Sequence, residues 1–147
     1  MFDPSREQVR EFFFDTWRRY REGAALEGLQ TLALQVILAH PEYHRVLEDP
    51  ERYAAREYFP ELGETNPFLH MSLHLALEEQ LSIDQPPGIV ARVEAIAARA
   101  GSRHDALHEA IECLAETIWR AQRDRAPPDA AAYLECLARK AGLDFST

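Results

Sequence analysis

The chain has 147 residues, of which 46% are hydrophobic and 28% are charged, and its formal net charge is −9 at pH 7. This length predicts one domain, 1–147, and this composition excludes a disordered chain and a membrane protein. The acidic balance excludes a nucleic-acid partner and an anionic membrane surface, because phosphate binding needs clustered lysine and arginine.

The N-terminus and the cysteines indicate the compartment. Residues 1–7 are polar and do not resemble a signal peptide, and no apolar stretch approaches the roughly 18 residues that span a bilayer. The two cysteines, Cys113 and Cys136, do not form a C-x-x-C pair. We therefore expect a protein of the reducing cytoplasm, and we interpret Cys113, opposite the histidines on its helix, as a packing residue rather than a metal ligand.

Proline, glycine and capping residues divide the chain into helices, and no segment has the alternation typical of a strand. Asp3-Pro4 predicts the start of a first helix that ends at Gly23. A second helix is predicted over about 25–49. Pro41 should kink or restart this second helix, because proline cannot donate a hydrogen bond to the preceding turn.

Four more helices follow the second one. Asn66-Pro67 has the N-cap and first-turn proline of a helix, and Ser102 follows Gly101 as the N-cap of another. Residues 50–65 are expected to be irregular or to carry one short helix. The four predicted helices cover about 67–83, 89–100, 103–123 and 130–141. The prediction is therefore an all-α, single-domain helical bundle of five to six helices with a four-helix-like core.

All six histidines fall in three copies of the pattern H-x-x-x-H-x-x-x-E. The copies are His40/His44/Glu48, His70/His74/Glu78 and His104/His108/Glu112. Residues four apart lie one turn apart on one face of a helix, so two imidazoles can bind one ion or adjacent ions. At this histidine frequency roughly 0.2 such pairs are expected by chance, whereas the chain has three. The predicted metal-site helices are those at about 25–49, 67–83 and 103–123.

Helical wheels place the histidines of each motif among apolar residues, with the glutamate at the edge of the buried stripe. The apolar neighbours include Leu29, Ala33, Val36, Leu73, Leu77, Leu107, Ile111 and Trp119. A single motif is equally well explained by a hydrogen-bonded core histidine or a surface ion pair. Six buried imidazoles favour metal binding, because each unpaired donor or acceptor would cost about 1–3 kcal/mol.

The ligand set indicates the kind of metal centre. Six histidines and three glutamates exceed the four to six ligands of one ion, so two ions are predicted. Imidazole with carboxylate suits iron, zinc, manganese or nickel, and a His-rich centre inside a helical bundle favours iron, with zinc or manganese as alternatives. No catalytic residue is assigned.

Several stretches resemble an uncharacterised bacterial protein family that carries only a domain-of-unknown-function label. They are 1–6, 12–17, 40–44, 64–70 and 83–88. This resemblance covers most of the chain and implies a small bacterial cytoplasmic protein, without an activity. The H-x-x-x-H and H-x-x-x-E elements are also similar to those of hemerythrin-like bundles. That likeness implies two irons, held by histidine and carboxylate side chains, that bind oxygen.

Three functions follow from these patterns. The first is a dinuclear, di-iron protein that binds or reduces oxygen, peroxide or nitric oxide. Its expected partners are such small molecules and a second copy of the chain in a homodimer. The second is a metal-dependent hydrolase with a zinc, manganese or iron pair, in which Glu78 or Glu112 takes a proton from a bridging water. The third is a non-enzymatic interaction domain, stabilised by metal or sensitive to pH through its histidines.

Overall fold

The computed structural model describes residues 5–143, and within that range the chain is helical, with no strand. The all-α prediction is therefore confirmed. The helices are α1 (Arg6–Arg21), α2 (Leu29–Leu38), α3 (His44–Leu47), α4 (Pro50–Tyr53), α5 (Pro67–Ile83), α6 (Ile89–Ala100), α7 (Arg103–Asp124) and α8 (Ala130–Lys140). Short 3-10 helices cover Pro41–Tyr43 and Pro60–Leu62. None of the helices in this range has both the length and the hydrophobicity of a membrane span.

The eight α-helices between residues 5 and 143 correct the prediction of five to six. The additional elements come from prolines in the first half of the chain. Pro41 separates α2 from α3, and Pro50 starts α4 as its first residue. Proline fixes its own φ and disfavours the helical conformation of the residue before it, so each proline begins a new element.

The chain divides into two compact units, Met1–Leu75 and Ala76–Thr147. The prediction of one domain over 1–147 stays a prediction. In the first unit α1 packs against α2. The core of this unit is aromatic and aliphatic: Phe13, Phe14, Trp17, Ala33, Val36, Ile37, Leu47, Tyr53, Phe68 and Met71.

Helix α1 begins two residues later than the sequence predicts. Ser5 is its N-cap, and its hydroxyl accepts a hydrogen bond from the Gln8 backbone N–H at 3.2 Å, while the Gln8 side chain accepts one from the Ser5 N–H at 2.8 Å. This reciprocal capping box satisfies two N–H groups that have no partner inside the helix. The predicted cap, Asp3-Pro4, lies outside the described residues.

The predicted helix over 25–49 is three elements. Gly28 has φ +56°, which only glycine adopts readily, so α2 starts at Leu29 and is four residues shorter at its N-terminus. His40 has φ −128° and ψ 67°, outside the helical region, directly before Pro41. His40 and His44 therefore do not lie one turn apart on a continuous helix. Leu29, predicted to be buried beside them, is exposed.

Arg10 is a buried cation of α1, only 2% exposed, that sequence reasoning did not find. Its Nη1 donates hydrogen bonds to the carbonyl oxygens of Tyr53, Ala54 and Arg56, at 3.0, 3.2 and 2.8 Å. Its guanidinium carbon lies 4.6 Å from the centre of the Phe68 ring. Burial lowers the pKa of Arg10. This one side chain ties the segment after α4 to the first helix.

The second unit packs α6, α7 and α8 against one another. The Ser102 hydroxyl accepts from the Asp105 N–H at the start of α7, and the Asp129 carboxylate accepts from the Ala132 N–H at the start of α8. These caps fix the helix starts that the sequence predicts. The buried apolar residues of this unit include Ile89, Val93, Ile96, Leu107, Ala110, Leu114, Tyr133 and Leu137.

A disulfide between Cys113 and Cys136 joins α7 to α8 across a Cα–Cα distance of 5.8 Å. The interpretation of Cys113 as a packing residue alone is therefore wrong. The pairing could not be read from local sequence, because the two cysteines are 23 positions apart and meet only when α7 and α8 pack together.

Reduction of this disulfide is expected to lower the free energy of unfolding by about 3 kcal/mol, since a loop of this length is released in the unfolded chain. Urea denaturation with and without a phosphine reductant measures the effect. The variant Cys113→Ser/Cys136→Ser is the control and should give one curve under both conditions. A wild-type midpoint that does not move on complete reduction would contradict the prediction.

Candidate metal centre

Three imidazoles meet in the first unit. His70 and His74 lie one turn apart on α5, and their Nε2 atoms are 3.1 Å apart. The ring centre of His40 lies 4.4 Å from that of His74 and 5.1 Å from that of His70. Each ring offers a nitrogen within 4.8 Å of a nitrogen on the other two. We call these three residues the histidine cluster.

The spacing in the histidine cluster suits ligands of one metal ion. Zinc–imidazole bonds are about 2.0–2.1 Å long, so two nitrogens on a tetrahedral ion are about 3.3 Å apart. The His70–His74 nitrogen distance of 3.1 Å is close to that value. The three ring planes are inclined to one another by 63° to 80°. Rings inclined in this way can each point a nitrogen at a common centre.

His40 is held in the tautomer that a metal ligand needs. Its Nδ1 lies 2.7 Å from the Val36 carbonyl oxygen and donates to it, so the lone pair is on Nε2. Such a bond from the second ring nitrogen to a carbonyl is common in metal-binding histidines. The carbonyl is available because α2 ends at Leu38, and the last turn of a helix leaves its carbonyls without helical partners.

Burial shields most of the histidine cluster from solvent. His40 and His74 are 1% and 2% exposed, and His70 is half-buried. Charging an imidazole in such surroundings is unfavourable unless an anion is close, which favours the neutral, metal-binding form.

Tyr43 borders the histidine cluster and was not predicted. Its ring is nearly parallel to that of His40, at a centre-to-centre distance of 5.5 Å, and lies 6.1 Å from that of His70. Burial raises the pKa of Tyr43, and the nearby Glu42 carboxylate raises it further. Tyr43 is therefore a neutral phenol at physiological pH. Its place between the two histidines of the first motif is the signal that could have found it.

His44, predicted to be a ligand, has other partners. Its Nε2 donates to the Ile37 carbonyl oxygen at 2.8 Å, and its ring centre lies 4.3 Å from that of Trp17. The cause is the break at Pro41, which replaces the predicted helical turn between His40 and His44 with a 3-10 turn. His44 thus completes the C-terminus of α2 and is not part of the histidine cluster.

The three motif glutamates form ion pairs with basic side chains. Glu48 pairs with Arg21, Glu112 pairs with Lys140, and Glu78 pairs with Arg103 at 3.0 Å. Glu48 and Glu112 are exposed, whereas Glu78 is buried. These cations lie 25 to 28 positions away in sequence, so the i, i+4 pattern could not reveal them. The role of the three carboxylates as ligands stays a prediction.

The third motif lies on α7 in the second unit. The His104 and His108 ring centres are 4.4 Å apart, and His108 Nδ1 donates to the His104 carbonyl oxygen at 2.9 Å. The predicted burial is wrong for His104 and for its predicted neighbour Trp119, both of which are exposed, because the buried stripe of α7 runs along the face of Ala106 and Ala110. The membership of this motif in one site with the other motifs stays a prediction.

Residues 5–139 match the family described as "Domain of unknown function (DUF1841)". The chain belongs to the DUF1841 family. This confirms the family resemblance inferred from the sequence. The histidine cluster and all three H-x-x-x-H-x-x-x-E motifs lie within the matched residues of this DUF1841 chain. No curated protein and no solved structure matches the chain, and the hemerythrin-like likeness stays a prediction.

Arg103 is expected to stabilise this DUF1841 chain through Glu78, which is only 7% exposed. Replacing Arg103 with methionine keeps the length of the side chain and leaves a buried carboxylate without its cation. Because Arg103 itself is largely exposed, we expect a loss of about 1–2 kcal/mol in the free energy of unfolding.

Urea denaturation at neutral pH measures this loss, and Lys140→Met is the matched control because it frees the exposed Glu112. The control should leave the midpoint nearly unchanged. Adding Glu78→Gln to Arg103→Met should recover part of the loss. Equal midpoints for the two single variants would show that the ion pair of the buried Glu78 with Arg103 contributes no more to stability than the exposed pair of Glu112 with Lys140.

Proposed function

We propose that the chain binds a divalent transition-metal ion through the histidine cluster and uses it to bind a small ligand, a dioxygen species in the first instance. One observation carries this proposal: three imidazole nitrogens from two separate elements approach one another within 4.8 Å in a buried place. His40 comes from the segment after α2, and His70 and His74 come from α5.

The chemistry of the three rings suits a divalent cation. Each neutral imidazole has one N–H and one lone pair, and His40 already directs its N–H to the Val36 carbonyl. The 3.1 Å contact between His70 and His74 uses one further proton. A divalent ion can accept all three lone pairs at once, and neutral imidazole is the most common metal ligand among side chains.

Three imidazoles suit iron, zinc, copper or nickel, and iron is the first ion to test, with zinc second. The two ions predicted from the sequence would need the motif glutamates as further ligands. Those carboxylates are ion-paired to Arg21, Arg103 and Lys140. The proposal therefore starts from one ion and treats a second as an outcome of the metal analysis.

Bound there, the ion would supply Lewis acidity to a small ligand in the coordination positions that the imidazoles leave open. The chain would contribute three neutral ligands, an environment largely shielded from solvent and the neutral phenol of Tyr43 beside His40 and His70. Hydrolysis is the less favoured alternative, because it needs a free carboxylate base. Glu78 and Glu112, the predicted bases, are both ion-paired.

The test is elemental analysis of untagged protein, purified from cells grown with added iron or added zinc and again after anaerobic loading of metal-stripped protein with iron(II). We expect one ion per chain, and with iron(II) a visible or paramagnetic signal that changes on adding oxygen or nitric oxide. Two ions per chain would support the dinuclear prediction. Colourless zinc with esterase or phosphatase activity would favour the hydrolase.

Metal well below one ion per chain under every loading condition would overturn the proposal. If such protein were fully helical by circular dichroism, the interaction-domain function predicted from the sequence would remain. Zinc bound at one ion per chain, without hydrolytic activity or response to dioxygen species, would support the metal site and overturn its proposed ligand.

A further inference from the structure

A cavity of about 540 Å³ in the second unit has one cysteine of the disulfide, the partly buried Cys136, on its wall. It is lined by the C-terminal half of α7, the turn that follows and α8, and Cys136 is among its lining residues. Its partner Cys113 is only 1% exposed and does not line the cavity. The disulfide is therefore open to a small reagent on one side, at Cys136. The volume is in the range of small-ligand pockets.

The charges around the cavity are mostly paired with one another. Arg120 pairs with Glu116, and Arg123 pairs with Asp124, each at 2.8 Å. The Asp129 carboxylate accepts from the N–H of Ala132. Within residues 5–143, two charged side chains of the cavity wall have no such partner, and these are Arg139 and Glu135. Both flank Cys136 on α8, Arg139 one turn after it and Glu135 directly before it.

From this arrangement we propose that Cys136 is a thiol–disulfide exchange site for a small peptide-like thiol, a molecule that carries a free carboxylate and a free ammonium group in addition to its thiol. The Arg139 guanidinium would bind the carboxylate, and the Glu135 carboxylate would bind the ammonium. An uncharged thiol would gain neither contact. The site lies in the second unit and does not depend on the proposed metal function.

Exposure determines which sulfur reacts. The thiolate of the small molecule attacks the Cys136 sulfur, the bond between Cys136 and Cys113 breaks, and Cys113 leaves as a thiolate that takes up a proton. The product is a mixed disulfide on Cys136 and a free thiol at Cys113. A second molecule of the small thiol, as its thiolate, then attacks the small-molecule sulfur of the mixed disulfide. This step releases the disulfide of the two small molecules. It leaves Cys136 as a thiolate, which the positive charge of Arg139 would stabilise.

The first test uses folded wild-type protein and reduced glutathione, followed by an acid quench and peptide mass spectrometry. We expect a glutathionyl group on Cys136 and a free thiol at Cys113. The variant Cys113→Ser, treated with excess oxidised glutathione, should accumulate the same adduct at Cys136, because it has no thiol at position 113 that could displace the glutathionyl group. The variant Cys136→Ser should react slowly at the buried Cys113. Helicity by circular dichroism confirms that each variant is folded.

The second test separates recognition from simple access. Arg139→Gln should slow reduction by glutathione about two- to fivefold, the effect of one surface charge, and leave reduction by 2-mercaptoethanol unchanged. Arg123→Gln is the matched control, because Arg123 lines the same cavity but pairs with Asp124. An adduct found at Cys113, cleavage that occurs only in denaturant, or equal rates for Arg139→Gln and wild type with glutathione would each overturn the proposal.

Discussion

Replacing His74 with alanine is expected to lower the affinity for iron(II) or zinc about 100-fold or more, because it removes one of the three imidazoles proposed to bind the ion. The control is His44→Ala, which removes the second histidine of the first motif. The sequence pattern makes His44 an equal ligand, but the structure places its ring against Trp17 with its Nε2 on the Ile37 carbonyl. His44→Ala should therefore change the metal affinity by no more than a few-fold.

Competition with a chromophoric chelator measures both affinities under anaerobic conditions. The two variants distinguish metal binding by the histidine cluster from metal binding by all the motif histidines. A similar large loss in both would support ligation by each whole H-x-x-x-H pair and contradict the arrangement described above. Circular dichroism of both variants is needed, because His44 also completes the C-terminus of α2.

Replacing Arg10 with alanine is expected to lower the free energy of unfolding by about 3–5 kcal/mol. The change removes the donor of three hydrogen bonds, one buried and two partly buried, to the carbonyls of Tyr53, Ala54 and Arg56. It also removes the guanidinium that lies over the Phe68 ring and leaves a cavity in the core. Denaturation by urea or by heat measures the loss.

Two further variants define the cause. Arg10→Lys keeps the charge and one donor group but lacks the planar fork, so its stability should lie between those of wild type and Arg10→Ala. Arg18→Ala changes an exposed arginine of the same helix, one that pairs with Asp15 and Glu22, and should leave the midpoint nearly unchanged. Similar midpoints for Arg10→Ala and Arg18→Ala would show that the buried contacts contribute little.

Local signals were sufficient for the second half of the fold. Ser102 and Asp129 cap α7 and α8, and Gly101 has a left-handed φ of +91° at the end of α6. Each of these signals acts within four residues, so sequence reasoning could place the ends of α5 to α8 within one or two residues. In the first half of the chain the local signals for helix ends are weaker. Gly28 and Pro41 interrupt an apolar pattern that otherwise looks like one helix from 25 to 49.

The candidate site was only partly predictable for a different reason. The i, i+4 spacing pointed to His70 and His74, which lie one turn apart on α5, whereas His40 was selected by the same pattern although it lies outside any helix. The pattern could not tell that the motif glutamates would pair with distant cations, or that His44 would lie on Trp17, because these contacts depend on tertiary packing. Arg10 follows no spacing rule, and its position becomes apparent only from the packed chain. Tyr43 had a sequence signal, its place between His40 and His44, but that signal does not reveal the contact with His70.

The end of α2 at Leu38 has a consequence for the mechanics of the first unit. It places His40 on a non-helical segment, separated from His70 by the short elements α3 and α4. An ion held by both residues would close that stretch of chain into a loop and act as a cross-link. The second unit has a covalent cross-link of its own between α7 and α8. A chelator would then remove the cross-link of the first unit and leave the disulfide intact. A reductant would break the disulfide of the second unit and leave the metal cross-link intact.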